Sequence, residues 1–114
     1  MDKRLTDALA FANYRLTLQI QRQNIDARIE AALLASFQNA IFKATLELIS
    51  FVSIKVSRNE KVFVEDQSGN VILIENPTNF LSLLMTTYDS AMELKQAEQA
   101  KLKSARTTAK IVGL

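Results

Sequence analysis

The sequence predicts an α+β fold: a long N-terminal helix, two β-hairpins separated by a helix, and a long C-terminal helix. Three observations carry this reading. Only two glycines and one proline occur in 114 residues, so long stretches must run without a break. Two internal segments place apolar, partly β-branched runs on either side of a polar turn. Both ends of the chain repeat apolar residues at spacings of 3 and 4, which is the helical period.

Asp2 can cap a helix that starts at Lys3. Leu5, Leu9, Ala12, Leu16 and Ile20 then form one apolar stripe. Phe11, Tyr14, Leu18, Ile25 and Ile29 form a second, nearly opposite at about 100° per residue. Thr17, Gln21, Arg15 and Arg22 fall between them. A helix with opposed apolar stripes is either central in the fold or carries one core face and one oligomer face. On the second reading, Phe11, Tyr14, Leu18, Ile25 and Ile29 are the expected partner face.

The middle of the chain reads as two units of strand, turn, strand, cap and helix. In the first, Leu33 to Phe37 precedes Gln38-Asn39, then Ile41 and Phe42, then a Thr45 cap that opens Leu46 to Val56. Ala31 to Ala35 suit a continued helix equally well, so residues 30–44 are open between a hairpin and an extension of the first helix. The second unit is stronger. Val62 to Glu65 and Val71 to Ile74 are β-rich and flank Ser68-Gly69-Asn70, which is good turn chemistry. Asn76-Pro77 sets a capping side chain just before a proline at the first helical position. The two hairpins are expected to join into one four-stranded antiparallel sheet, with the first and last helices packed on each other and on that sheet. An all-α bundle with a single hairpin is the alternative.

The last helix should run from about Thr78 to Ala109. Leu81, Leu84, Tyr88, Ala91, Lys95, Glu98, Leu102, Ala105, Ala109 and Val112 make a heptad seam. Lys95 and Glu98 dilute its second half, so the basic tail from about residue 95 should project or pair with another chain.

Length and composition indicate one domain over residues 1–114, and 48% apolar with 23% charged residues is ordinary for a folded protein. The chain has no cysteine and no histidine. Thiolate chemistry, disulfides, the commonest general base and the commonest zinc ligand are therefore excluded. No N-terminal signal peptide or membrane span is read, and the expected location is the cytoplasm. A net charge of +2 implies no polyanionic partner by itself.

The remaining candidates for chemistry are weak. Asp26 with Glu30, and Asp89 with Glu93, each share a helix face, whereas acid–base work needs carboxylates across a cleft. The serines lack a histidine to activate them. No catalytic residue, metal site or cofactor is expected. Lys101, Lys103, Arg106 and Lys110 form a basic run without an acidic side chain. Cations there offset the helix macrodipole. Lys103, Arg106 and Lys110 also share a face on which they could contact the phosphates of a nucleic acid.

The blocks Asp2-Lys3-Arg4-Leu5-Thr6-Asp7-Ala8-Leu9, Leu48-Ile49-Ser50-Phe51-Val52 and Ala105-Arg106-Thr107-Thr108-Ala109-Lys110 resemble small uncharacterised proteins of large contractile-tailed marine phages. The resemblance implies a virus-associated accessory or structural role, in the host cytoplasm or the virion, and carries no functional motif. The expectation from the residues is a non-catalytic, oligomeric structural or assembly-interaction protein. A nucleic-acid-associated protein using the basic C-terminal helix is the alternative.

Overall fold

A computed structural model describes the backbone of residues 3–111 and the side chains of residues 3–104. The element order is α1 (Lys3–Ala32), β1 (Leu34–Phe37), β2 (Ala40–Lys43), α2 (Leu46–Ser57), β3 (Phe63–Glu65), β4 (Val71–Leu73) and α3 (Pro77–Ile111). The fold is α+β, with long helices at both ends. The Asp2 cap lies outside the described residues. The ambiguity over residues 30–44 resolves in favour of the hairpin: α1 stops at Ala32 and β1 pairs with β2 from Leu34↔Lys43 to Phe37↔Ala40.

Contacts divide the chain into two units. One holds the chain up to Arg28 together with the segment from Leu94 onward, and the other is Ile29–Glu93. Both α1 and α3 contribute to each unit.

The Ile29–Glu93 unit is built by local signals that agree with its packing. The first turn is Gln38-Asn39, with φ of 50° and 62°, the paired left-handed residues of a type I′ hairpin. The Thr45 side chain accepts a hydrogen bond from the Leu48 amide, capping α2. Asn59, at φ 53°, follows the C-terminus of α2, and Glu60 then folds back to pair with Lys55 at 2.9 Å and Arg58 at 2.6 Å. Asn76 caps α3 by accepting from the Asn79 amide at 3.4 Å, with Pro77 in the first helical position.

The expected four-stranded sheet is not formed. There are two two-stranded antiparallel sheets, β1–β2 and β3–β4. A different set of bonds links the hairpins. The Gln67 amide donates to the Ile41 carbonyl at 2.9 Å. The Gln38 side chain donates to the Leu73 carbonyl at 3.1 Å and accepts from the Glu75 amide at 2.8 Å. One side-chain amide thus occupies backbone groups that a fourth-strand ladder would use, and the linkage stays a stitch rather than a ladder.

The inner faces of both hairpins close on α2 and the first part of α3. Ala35, Ala40, Phe42, Ala44, Val52, Val62, Val64, Ile74, Phe80 and Leu84 make one buried cluster. Phe80 sits between two rings, with centroids 5.1 Å from Phe37 and 5.0 Å from Phe42. No polar or charged residue with a described side chain is buried there.

Three substitutions test the turns. In the second hairpin, the Asp66 carboxylate accepts from the Ser68 and Asn70 amides, each at 2.9 Å, and this holds Gly69 at φ +86°. A Cβ at Gly69 would meet only Glu65 Oε1, at 3.7 Å, so the strain is conformational. Gly69→Val should therefore cost about 1–2 kcal/mol, read as a lower melting temperature. In the first hairpin, glycine relieves the left-handed backbone at either central residue. Asn39→Gly should be neutral or stabilising. Gln38→Gly should destabilise by about 1–2 kcal/mol, because it deletes the stitch between the hairpins. Equal effects from the two glycines would show that the Gln38 amide contributes nothing.

Candidate interaction surface

In the unit formed by the two chain ends, α1 supplies both apolar stripes. Tyr14 and Leu18 are half-buried and Ile25 is buried, at 7% exposure. The partner to this side is α3. Arg28 donates through Nη1 and Nη2 to both carboxylate oxygens of Glu98, at 3.2 and 3.4 Å. Lys101 Nζ lies 3.9 Å from the same carboxylate, whose side chain is 13% exposed. The seam positions Lys95, Glu98 and Leu102 are all half-buried. Glu98, which looks like dilution of the seam, is thus a partnered polar contact. A fork-on-carboxylate pair of this kind fixes the facing side of both helices.

Next to this pair runs an open groove of about 300 Å³ lined by Gln21, Asn24, Ile25, Arg28, Glu98, Lys101 and Leu102. Its charged groups already satisfy one another. It holds no nucleophile paired with a base. No cluster of three or more metal-ligating side chains occurs among the described residues.

The opposite stripe of α1 is open. Leu5 is 53% exposed, Leu9 50%, Leu16 55% and Ile20 47%. The expected partner face divides between buried and open residues. Ile25 and Ile29 are buried within the chain and closed to any partner. Tyr14 and Leu18 are half-covered, and only Phe11, stacked under the Arg15 guanidinium at 5.8 Å, stays open. The covered side is the one that carries Arg28, because that cation meets Glu98 on α3.

The hairpin unit has its own exposed apolar residues. Leu34 and Ile41 project from the outer face of the first hairpin, and Phe63, Val71 and Leu73 from that of the second. Of the basic run, Lys103 is exposed on α3. Arg106 and Lys110 fall within α3 by backbone, but their side chains lie outside the described residues. Among the described residues no helix is long and apolar enough to cross a membrane.

No family model matches this chain, and neither does any curated protein or solved structure.

Proposed function

We propose that this chain is a non-catalytic structural or assembly-interaction protein that associates with itself through the open stripe of α1. The observation that carries the reading is Leu5, Leu9, Leu16 and Ile20 in one continuous row, each 47–55% exposed. Scattered apolar residues are ordinary on a protein surface, but a continuous row is a contact face. Gln19 and Gln23 continue the row toward the C-terminal end of the helix. Their amides would be stranded in lipid but can pair across a protein contact, so a second protein surface fits better than a membrane. An assembly role of this kind is also what the resemblance to small phage proteins implies.

Light scattering at tens of micromolar tests the reading. A mass above the 12.8 kDa of one chain is expected, unchanged by nuclease. A mass of one chain at every concentration overturns it. A mass that falls on nuclease treatment would favour the nucleic-acid-associated alternative.

A further inference from the structure

We propose that the two chain ends form a clasp latched by Glu98, which opens while the Ile29–Glu93 unit stays folded and so sets whether α1 presents one apolar face or two.

Burial is distributed unevenly between the two units. Among the described side chains, Ile25 is the one buried residue of the terminal unit. Tyr14, Leu18, Leu94, Lys95, Glu98 and Leu102 are half-buried, and every other described side chain there is exposed. The Ile29–Glu93 unit holds the closed cluster around Phe42, Val52, Phe80 and Leu84, each at most 1% exposed. A helix in water is marginal by itself and takes most of its stability from packing. Regions with few buried apolar contacts open locally at a free energy well below that of global unfolding. The terminal unit therefore opens far more readily than the hairpin unit.

Its few apolar contacts are supplemented by one polar cluster. Glu98 accepts from both Nη atoms of Arg28 on α1, at 3.2 and 3.4 Å, and has Lys101 Nζ of its own helix 3.9 Å away. The Glu98 side chain is 13% exposed, against 56% for Arg28 and 77% for Lys101. The carboxylate is thus the enclosed member, and the two cations already touch water. Charge-assisted, two-pronged bonds of this kind are the strong and directional ones. Removing the charge of Glu98 weakens closure without deleting an apolar contact. When the clasp opens, Tyr14, Leu18 and Ile25 are bared in addition to Leu5, Leu9, Leu16 and Ile20.

Hydrogen exchange on the full chain, followed residue by residue by NMR, tests the proposal. Corrected for intrinsic rates, amides of residues 14–28 and 94–104 should exchange at least about a hundredfold faster than those of Val52 and Leu84. Glu98→Gln should speed exchange by about threefold to tenfold in both terminal segments and leave Val52 and Leu84 unchanged. Arg28→Gln should do the same, and the two substitutions together should add little, because they break one contact. Residues 94–104 lie outside the open stripe of α1, so their exchange reads the clasp whether or not the chain self-associates. The two tyrosines give a second reading on the native chain, since Tyr14 belongs to the terminal unit and Tyr88 to the hairpin unit. On heating, the ring signals of Tyr14 should reach free-peptide values before those of Tyr88. A single exchange rate class across the chain, or tyrosines that melt together, would show that the ends do not open separately. Unchanged exchange in Glu98→Gln would remove its part as latch. Exchange raised equally at Val52 and Leu84 would show that this carboxylate serves the whole fold. Each of these results overturns the proposal.

Discussion

Replacing Phe80 with alanine should lower the melting temperature of the Ile29–Glu93 unit by at least about 12 °C, or leave it unfolded at room temperature. Phe80 is fully buried and its ring is packed between those of Phe37 and Phe42. Phe→Ala in a closed core costs about 3–5 kcal/mol, the sum of lost transfer energy and the cavity left behind. A whole small domain is stable by only about 5–15 kcal/mol. Phe80 also joins three elements, since Phe37 ends β1, Phe42 lies in β2 and Phe80 opens α3. Little side-chain collapse can fill the gap, because the neighbouring Ala35, Ala40 and Ala44 are too short to move into it. Thermal denaturation followed by circular dichroism is the measurement. Phe80→Leu should recover more than half of the loss. A melting temperature within a few degrees of the native chain would mean that the ring cluster does not hold this unit together.

The double substitution Leu9→Glu with Leu16→Glu should have the opposite profile, with intact folding and lost association. Both positions are half-exposed in the single chain, and glutamate is a good helix former. Helicity and the melting temperature of the isolated chain should therefore change little. In the proposed self-association through this stripe each carboxylate would be buried in the contact. Burying even one unpaired charge costs several kcal/mol, and about 1.4 kcal/mol is a factor of ten in affinity. Affinity should fall by at least about a thousandfold, enough to give single chains at tens of micromolar. Sedimentation velocity on the native and doubly substituted chains reads this directly. An assembly that survives both substitutions uses some other surface. Ile25→Glu is the contrasting control: that side chain is buried within the chain, so its effect should appear in the melting curve.

The sequence was most legible where one residue type has one local task. Thr45 and Asn76-Pro77 mark the helix starts, and both caps form. Gln38-Asn39 and Ser68-Gly69-Asn70 mark the turns, and three of those residues take positive φ. The seam of α3 is legible through Leu102, since Leu84 and Ala91 are buried and Leu81, Tyr88, Lys95, Glu98 and Leu102 are half-buried. Its last positions lie outside the described side chains. What failed to show was long-range choice. Apolar periodicity reveals two stripes on α1 but not which one α3 will take. That was decided by a pairing of Arg28 with Glu98 across 70 positions. The complementary charges were visible, but no local rule joins residues so far apart. The four-stranded sheet failed for a similar reason. Strand propensity gives four strands, but the Gln38 side chain competes for the Leu73 carbonyl and the Glu75 amide, and nothing in a propensity scale anticipates an amide side chain standing in for backbone. The role of Asp66 in the second turn was readable in principle, because an aspartate two residues before a donor amide is an Asx-turn signal.

The unit made from the two chain ends is discontinuous, and this has a consequence during synthesis. The N-terminal part of α1 leaves the ribosome long before its covering segment exists, since the chain from Arg28 to Leu94 must be made in between. At about 5–20 residues per second, that interval is on the order of 3–13 seconds. Throughout it, Tyr14, Leu18 and Ile25 are as bare as Leu5, Leu9, Leu16 and Ile20, and the nascent helix is greasy on two sides. Neighbouring chains on one polysome would meet in this state, with their N-termini emerging in the same direction. The proposed association through the open stripe would then have its first opportunity cotranslationally, before the C-terminal segment arrives to close the other side.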